Sequence, residues 1–241
     1  MQRLRSATHA ALRAAGLELK RISLTPGAKL FGLRGIPIRT VIDVGANEGQ
    51  FAKHILGFFP SARIYSFEPV PDAYARLVAW SSARSGQIVP LGVALGDAEG
   101  EVEMFQHTTH TPSSSLLRTN GTHEAIWPLT AEQKSIRVRL TTLDEALRGR
   151  EIIPDLLIKL DVQGYEDRVI RGGTEMFRKA RACILEVCLD GLYDGQASFK
   201  DLLISLDALG LDYAGAIDQV CAADGHVIYF DALFLRRARR A

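Results

Sequence analysis

Between residues 39 and 236 the chain alternates short, dense apolar runs with stretches in which apolar residues recur at helical spacing. Thr40–Val44, Arg63–Phe67 and Ile88–Val93 read as strands, and Phe51–Phe59 and Ala73–Ser82 read as the helices between them. This βαβαβ rhythm implies a parallel sheet, because parallel neighbours need a crossover helix. Glu101–Phe105 and Ser135–Leu140 instead alternate polar with apolar residues, which predicts an antiparallel pair flanking an inserted loop rich in Thr, Ser and His. Leu156–Asp161, Ala182–Val187, Leu211–Ile217 and Val227–Leu235 supply four more strands, with helices predicted over Glu166–Arg178 and Phe199–Leu209. No helical stretch separates the last two strands, so they are expected to close the sheet as an antiparallel hairpin. The reading is an α/β domain with a mostly parallel seven-stranded sheet, a terminal antiparallel hairpin and a small β insertion.

Residues 1–25 read as helix, and the segment from Pro26 to Pro37, broken by Gly27, Gly32 and Gly35, reads as an irregular connection. Residues 1–38 are therefore expected to form an N-terminal helical extension and residues 39–241 the main domain. The extension is strongly basic, with Arg3, Arg5, Arg13, Lys20, Arg21, Lys29 and Arg34 against Glu18, which leaves the body acidic although the net charge is only +1. Such a helix is a candidate for weak peripheral contact with an anionic membrane surface, yet its apolar face offers little beyond Leu4, Leu12, Leu17 and Leu19. No basic pattern interleaved with aromatics points to nucleic acid. Nor does any apolar run approach the roughly 20 residues that cross a bilayer. Cys183, Cys188 and Cys221 form neither a CxxC pair nor a metal-ligand spacing, so a reducing, cytoplasmic setting without a structural metal is expected.

Three stretches carry candidate chemistry. In the first, the strand Thr40–Val44 breaks into Gly45-Ala46-Asn47-Glu48-Gly49 and then a helix, a turn whose glycines let backbone approach a ligand at the carboxyl edge of the sheet. The pattern is not the GxGxxG of a dinucleotide site, so no pyrophosphate need be cradled there. Second, Arg63–Phe67 ends in Glu68-Pro69, which places a carboxylate some twenty residues beyond the glycine turn, the spacing at which an acid accepts from a ribose diol. Third, Ile158-Lys159-Leu160-Asp161-Val162-Gln163-Gly164 puts Lys159 and Asp161 on one face of a strand end, with Asp161 or Glu186 available to neutralise the lysine. The plainer reading of that pair is a structural ion pair.

Taken in order, Asp43 with Gly45-Ala46-Asn47-Glu48-Gly49, Phe67-Glu68-Pro69, Ser114-Ser115-Leu116, Thr142-Leu143-Asp144, Lys159-Leu160-Asp161-Val162-Gln163-Gly164-Tyr165-Glu166, Gly172 and Glu186 resemble the FkbM methyltransferases over residues 39–236. The resemblance implies a Rossmann-like class I methyltransferase fold and S-adenosylmethionine as methyl donor. The acceptor it implies is a hydroxyl on a saccharide, glycolipid or other natural product, small or lipid-linked. It assigns Asp43, Gly45, Asn47 and Gly49 to the methionine moiety, Glu68 to the ribose and Asp161 to the transferring methyl, with Ala46 and Pro69 as further cofactor-binding candidates. Gln163 departs from the glutamate most common at its position. Asp161 is the candidate for orienting or deprotonating the hydroxyl, with His107 and His110 of the inserted loop as further catalytic candidates. A nicotinamide-dependent oxidoreductase shares the strand, glycine turn and acid, and a non-catalytic domain retaining the fold is a third reading.

Overall fold

The computed structural model describes residues 35–107, 113–127 and 132–237, together with residues 12, 14–16 and 33. The predicted N-terminal helix therefore lies almost wholly outside the described residues, and so does His110.

The elements run β1 (Thr40–Val44), α1 (Gln50–Leu56), β2 (Arg63–Phe67), α2 (Pro71–Ser81), β3 (Ile88–Leu91), β4 (Ala94–Gly96) and β5 (Gly100–His107). There follow α3 (Gly121–Ile126), β6 (Gln133–Thr142), α4 (Leu143–Ala146), β7 (Leu156–Leu160), α5 (Glu166–Gly172), α6 (Thr174–Lys179), β8 (Ala180–Cys188), α7 (Phe199–Ala208), β9 (Leu211–Cys221) and β10 (Val227–Arg236). The main sheet has seven strands in the order β3-β2-β1-β7-β8-β10-β9. β1 pairs in parallel with β2 and with β7, β7 pairs in parallel with β8, and β10 runs antiparallel to both β8 and β9. This is the mostly parallel sheet with a terminal antiparallel hairpin that the sequence predicts.

Alternation along the strands splits the core into two layers. Ile42, Phe67, Ile158 and Leu160 pack on one face with α5, α6 and α7, whereas Val41, Ile64 and Leu157 pack on the other with Ala52 and Ile55 of α1. All five residues of β1 are buried, as befits a central strand covered on both sides. Pro71 opens α2, where its missing N–H costs nothing, and a capping box between Ser198 and Asp201 starts α7.

Two differences from the sequence reading have local causes. The single helix predicted over Glu166–Arg178 is split at Gly172 and Gly173: a Cβ on Gly172 would run into the Gly96 carbonyl, and one on Gly173 would stand 2.8 Å from Leu143 Cδ2. The chain bends there because backbone must approach backbone. The insertion also holds more than one antiparallel pair. β5 and β6 pair antiparallel over eight positions, but β4 adds a parallel strand to β6 and α3 stands in the connecting loop. Three residues, Ala94-Leu95-Gly96, are too short a strand for periodicity to reveal.

Candidate active site

The carboxyl ends of β1, β2, β7 and β8 and the amino end of the antiparallel β10 open into one cavity of about 890 Å³. Its floor begins at the turn after β1. The amides of Gly45 and Ala46 both donate to the Phe67 carbonyl, at 3.1 and 2.9 Å, which ties this turn to the end of β2. Gly45 has φ 77°, and an added Cβ would overlap the Asp161 carbonyl, so this position is glycine on two independent counts. At Gly49, with φ 84°, a Cβ would meet the Trp80 ring at 2.9 Å. The sequence reading gave both glycines to close approach of a ligand; at these Cα atoms the close neighbours are instead Asp161 backbone and Trp80. Gly45, Ala46 and Asn47 line the cavity, while Gly49 stands behind it.

Glu68 is 5% exposed and bridges two strands' ends, Oε2 accepting from the Asn47 amide at 2.7 Å and Oε1 from the Val70 amide at 2.8 Å. Burial pushes its pKa up to about 7 against the pull of those two N–H groups. It and Pro69 face the cavity. Asp43 is fully buried beneath the turn and is not part of the cavity wall. Burial raises its pKa to about 6, opposed by the Lys159 ammonium. Neither Asp43 oxygen, nor Asn47 Oδ1, accepts a hydrogen bond from the described residues.

On β7, Lys159 Nζ lies 3.0 Å from Asp161 Oδ2 and 3.8 Å from Asp43 Oδ1. Burial alone would lower the lysine pKa, but Asp161 and Asp43 more than offset it and hold the ammonium charged. The remaining Asp161 oxygen accepts from Gln163 Nε2 at 2.6 Å, and the same amide nitrogen donates to Glu186 Oε1 at 2.8 Å. Glu186 and Asp231 stand directly opposite each other on β8 and β10, both in the cavity wall. Burial, reinforced by the Asp161 charge, raises the pKa of both, that of Asp231 to about 6. Sequence reasoning passed over Asp231, since nothing in a lone Asp within the last strand shows that its cross-strand partner is a glutamate.

Of the two histidine candidates, His107 ends β5 and is 1% exposed, its ring stacked on His123 with centroids 6.0 Å apart; it does not line the cavity. Among the described residues, His107 packs within the insertion beside His123 and does not border the cavity. The insertion reaches the site by other residues. Ser114, Ser115 and Leu116 line one side, and Ser115 Oγ donates to the Gln163 carbonyl at 2.7 Å. No group of three or more His, Cys, Asp or Glu side chains arranged to hold a metal occurs among the described residues.

Known proteins align with this chain. The hexuronic acid methyltransferase AglP of Haloferax volcanii is 27% identical over 145 residues, 60% of this chain and 54% of that protein, so the alignment spans about half of that relative's length. The 2-O-methyltransferase NoeI of Sinorhizobium fredii is 28% identical over 205 residues, 82% of this chain and 83% of that protein. Among solved structures, magnesium protoporphyrin IX methyltransferase of Synechocystis PCC 6803 superposes with a TM-score of 0.49 at 11% identity, covering 97% of this chain and 82% of that one. The Methyltransferase FkbM domain matches residues 43–213, a span that begins at Asp43 and takes in Glu68, Asp161 and Glu186; the chain belongs to the FkbM methyltransferase family.

Proposed function

We propose that this cavity binds S-adenosylmethionine and that the chain transfers the donor's methyl group to a hydroxyl of a saccharide or related polyhydroxylated acceptor. The observation that carries the reading is the set of acceptor atoms gathered around one cavity at three strand tips. Asn47 Oδ1 is buried without a hydrogen bond, Glu68 is held by backbone with lone pairs to spare, and Asp161 is held by Lys159. Buried acceptors left unmatched are costly, roughly 1–3 kcal/mol each, and a ligand rich in donors and positive charge repays that cost. The donor molecule has an ammonium, two ribose hydroxyls and a sulfonium, which suits such a wall. Asn47 with the Gly45-Ala46 turn would hold the methionine end, and Glu68 the ribose.

When bound, the sulfonium supplies an activated methyl group; the chain supplies alignment. Bringing two reactants into line accounts for about 7–11 kcal/mol of barrier lowering, whereas a positioned base adds about 10²–10⁴-fold. Asp161, fixed by Lys159 on one oxygen and Gln163 on the other, is a rigid acceptor at the cavity edge and orients the incoming hydroxyl. The names of the relatives AglP and NoeI, one a hexuronic acid methyltransferase and the other a 2-O-methyltransferase, support an oxygen on a sugar-like acceptor. A cytoplasmic setting belongs to the same reading, supported by three unpaired cysteines and by the absence, among the described residues, of a helix long and apolar enough to cross a membrane. The test is transfer of isotopically labelled methyl from S-adenosylmethionine to a panel of methyl glycosides, neutral and uronic. Labelled methyl ether on any of them supports the reading, and label on none of them while the protein binds NAD contradicts it.

A further inference from the structure

Gln163 has the left-handed backbone of a tight turn, φ 56°, and its amide is fully used. Nε2 donates to Asp161 Oδ1 and to Glu186 Oε1, and Oε1 accepts from the Tyr193 hydroxyl. Tyr193 is 2% exposed and lies 3.3 Å from His123 Nε2 through the same hydroxyl. Its backbone is fixed as well: Thr119 bridges to Tyr193, the Asp194 amide donates to the Arg118 carbonyl, and the Tyr193 amide donates to Gln196 Oε1. A hydroxyl that donates to the amide oxygen dictates that the amide nitrogen faces the other way. Here that way leads to two carboxylates.

We propose that Gln163, oriented by Tyr193, is a positioning residue whose amide bridges Asp161 and Glu186 and holds the two side chains together in the cavity wall. The inference rests on the methyl-transfer reading for its consequence in turnover, but its geometry is independent of any ligand. Without the bridging amide, the charges facing Glu186 are Asp161 and Lys159 from the end of β7, Glu166 from α5, and Asp231 from β10, with Asp218 of β9 opposite Asp231; the hydroxyls of Tyr193 and Tyr229 and the Cys188 thiol of β8 are its other titratable neighbours. One ammonium among five carboxylates leaves the pair dependent on the two amide hydrogens. A flipped amide would turn its carbonyl toward both carboxyl groups.

The test uses the full chain without donor. Tyr193→Phe, which removes one buried oxygen and keeps the ring, and Gln163→Leu are compared with wild type by thermal unfolding across about pH 5 to 8. Loss of the amide N–H raises the folded-state pKa of Glu186 further, so each variant's deficit in melting temperature widens as pH rises. Gln163→Glu follows wild type at the acid end, where its own proton serves as donor, and falls away as that proton leaves. In ¹³C NMR of carboxyl-labelled protein, with the signal assigned through Glu186→Gln, the Glu186 resonance of Gln163→Leu titrates about one pH unit or more above wild type. On the methyl glycosides above, Tyr193→Phe lowers kcat about 10-fold while S-adenosylmethionine affinity holds. Deficits that stay constant with pH, or a Glu186 resonance that titrates as in wild type, overturn the positioning role. Donor binding by wild-type protein is measured separately, so failure of the methyl-transfer reading is not confused with failure of this one.

Discussion

The Lys159 ammonium lies 3.8 Å from the Asp43 carboxylate across the β1–β7 pair, yet no described group donates a hydrogen bond to either Asp43 oxygen. The lysine is shared with Asp161, which it approaches more closely, so Asp43 is a buried anion with half a partner. That arrangement is costly for folding. It is intelligible in a site organised around a cationic ligand.

The cost has a pH signature. Asp43 and Asp231 are raised to about 6, and Glu68 and Glu166 to about 7, chiefly by burial in each case. A folded pKa above the unfolded value of 3.8 or 4.5 means that the unfolded chain ionises first. The corresponding stability is therefore present at acid pH and lost as pH rises through the window from about 4 to 7. The ligand-free protein should show a falling melting temperature between about pH 5 and 8. Asp43→Asn should flatten that slope by the equivalent of about 3 kcal/mol, the value of a shift of roughly two units. Differential scanning calorimetry at intervals across this range checks both, and a melting temperature that rises with pH counts against the burial argument.

Gly45 and Gly149 separate backbone strain from collision. Both have positive φ, 77° and 73°, but an added Cβ at Gly149 meets nothing within 4 Å whereas one at Gly45 strikes the Asp161 carbonyl. Gly149→Ala should cost about 1–2 kcal/mol, the left-handed penalty alone. Gly45→Ala should cost well beyond that, on the order of 4 kcal/mol or more, and should also displace Asp161. Urea denaturation of the two variants checks the contrast, and equal losses would mean that the turn yields easily.

His107 belongs to the packing of the insertion. His107→Ala should lower stability by about 2 kcal/mol or more, as expected for a buried polar ring, and leave the kcat of folded enzyme within about 3-fold. Chemical unfolding alongside labelled-methyl transfer checks this. A loss of turnover of 100-fold with unchanged stability would restore a catalytic role.

Much of the fold is legible in the sequence because period-2 and helical patterns act locally. Thr40–Val44 and Arg63–Phe67 are strands in the structure with those same bounds, and the missing helix before Val227 announces the hairpin. What sequence pattern carries less well is contact between distant segments. The break between α5 and α6 depends on Gly172 meeting Gly96, and β4 exists because Ala94–Gly96 finds β6, neither of which periodicity can register. The same holds at the site. Glu68 and Asp161 stand out as acids closing apolar strands, but the Tyr193–Gln163–Glu186 link joins a loop, a turn and a strand end, and Asp231 gains its meaning only from Glu186 opposite.

The central claim, that the tips of β1, β2 and β7 form a donor site with separate duties, is tested most directly by calorimetric titration of S-adenosylmethionine into wild type, Glu68→Ala and Asp161→Asn. Saturable one-site binding by wild type is predicted, weakened about 10-fold or more in Glu68→Ala and little changed in Asp161→Asn, whose defect should appear in turnover. No binding by folded wild-type protein, or equal losses in the two variants, would contradict the account.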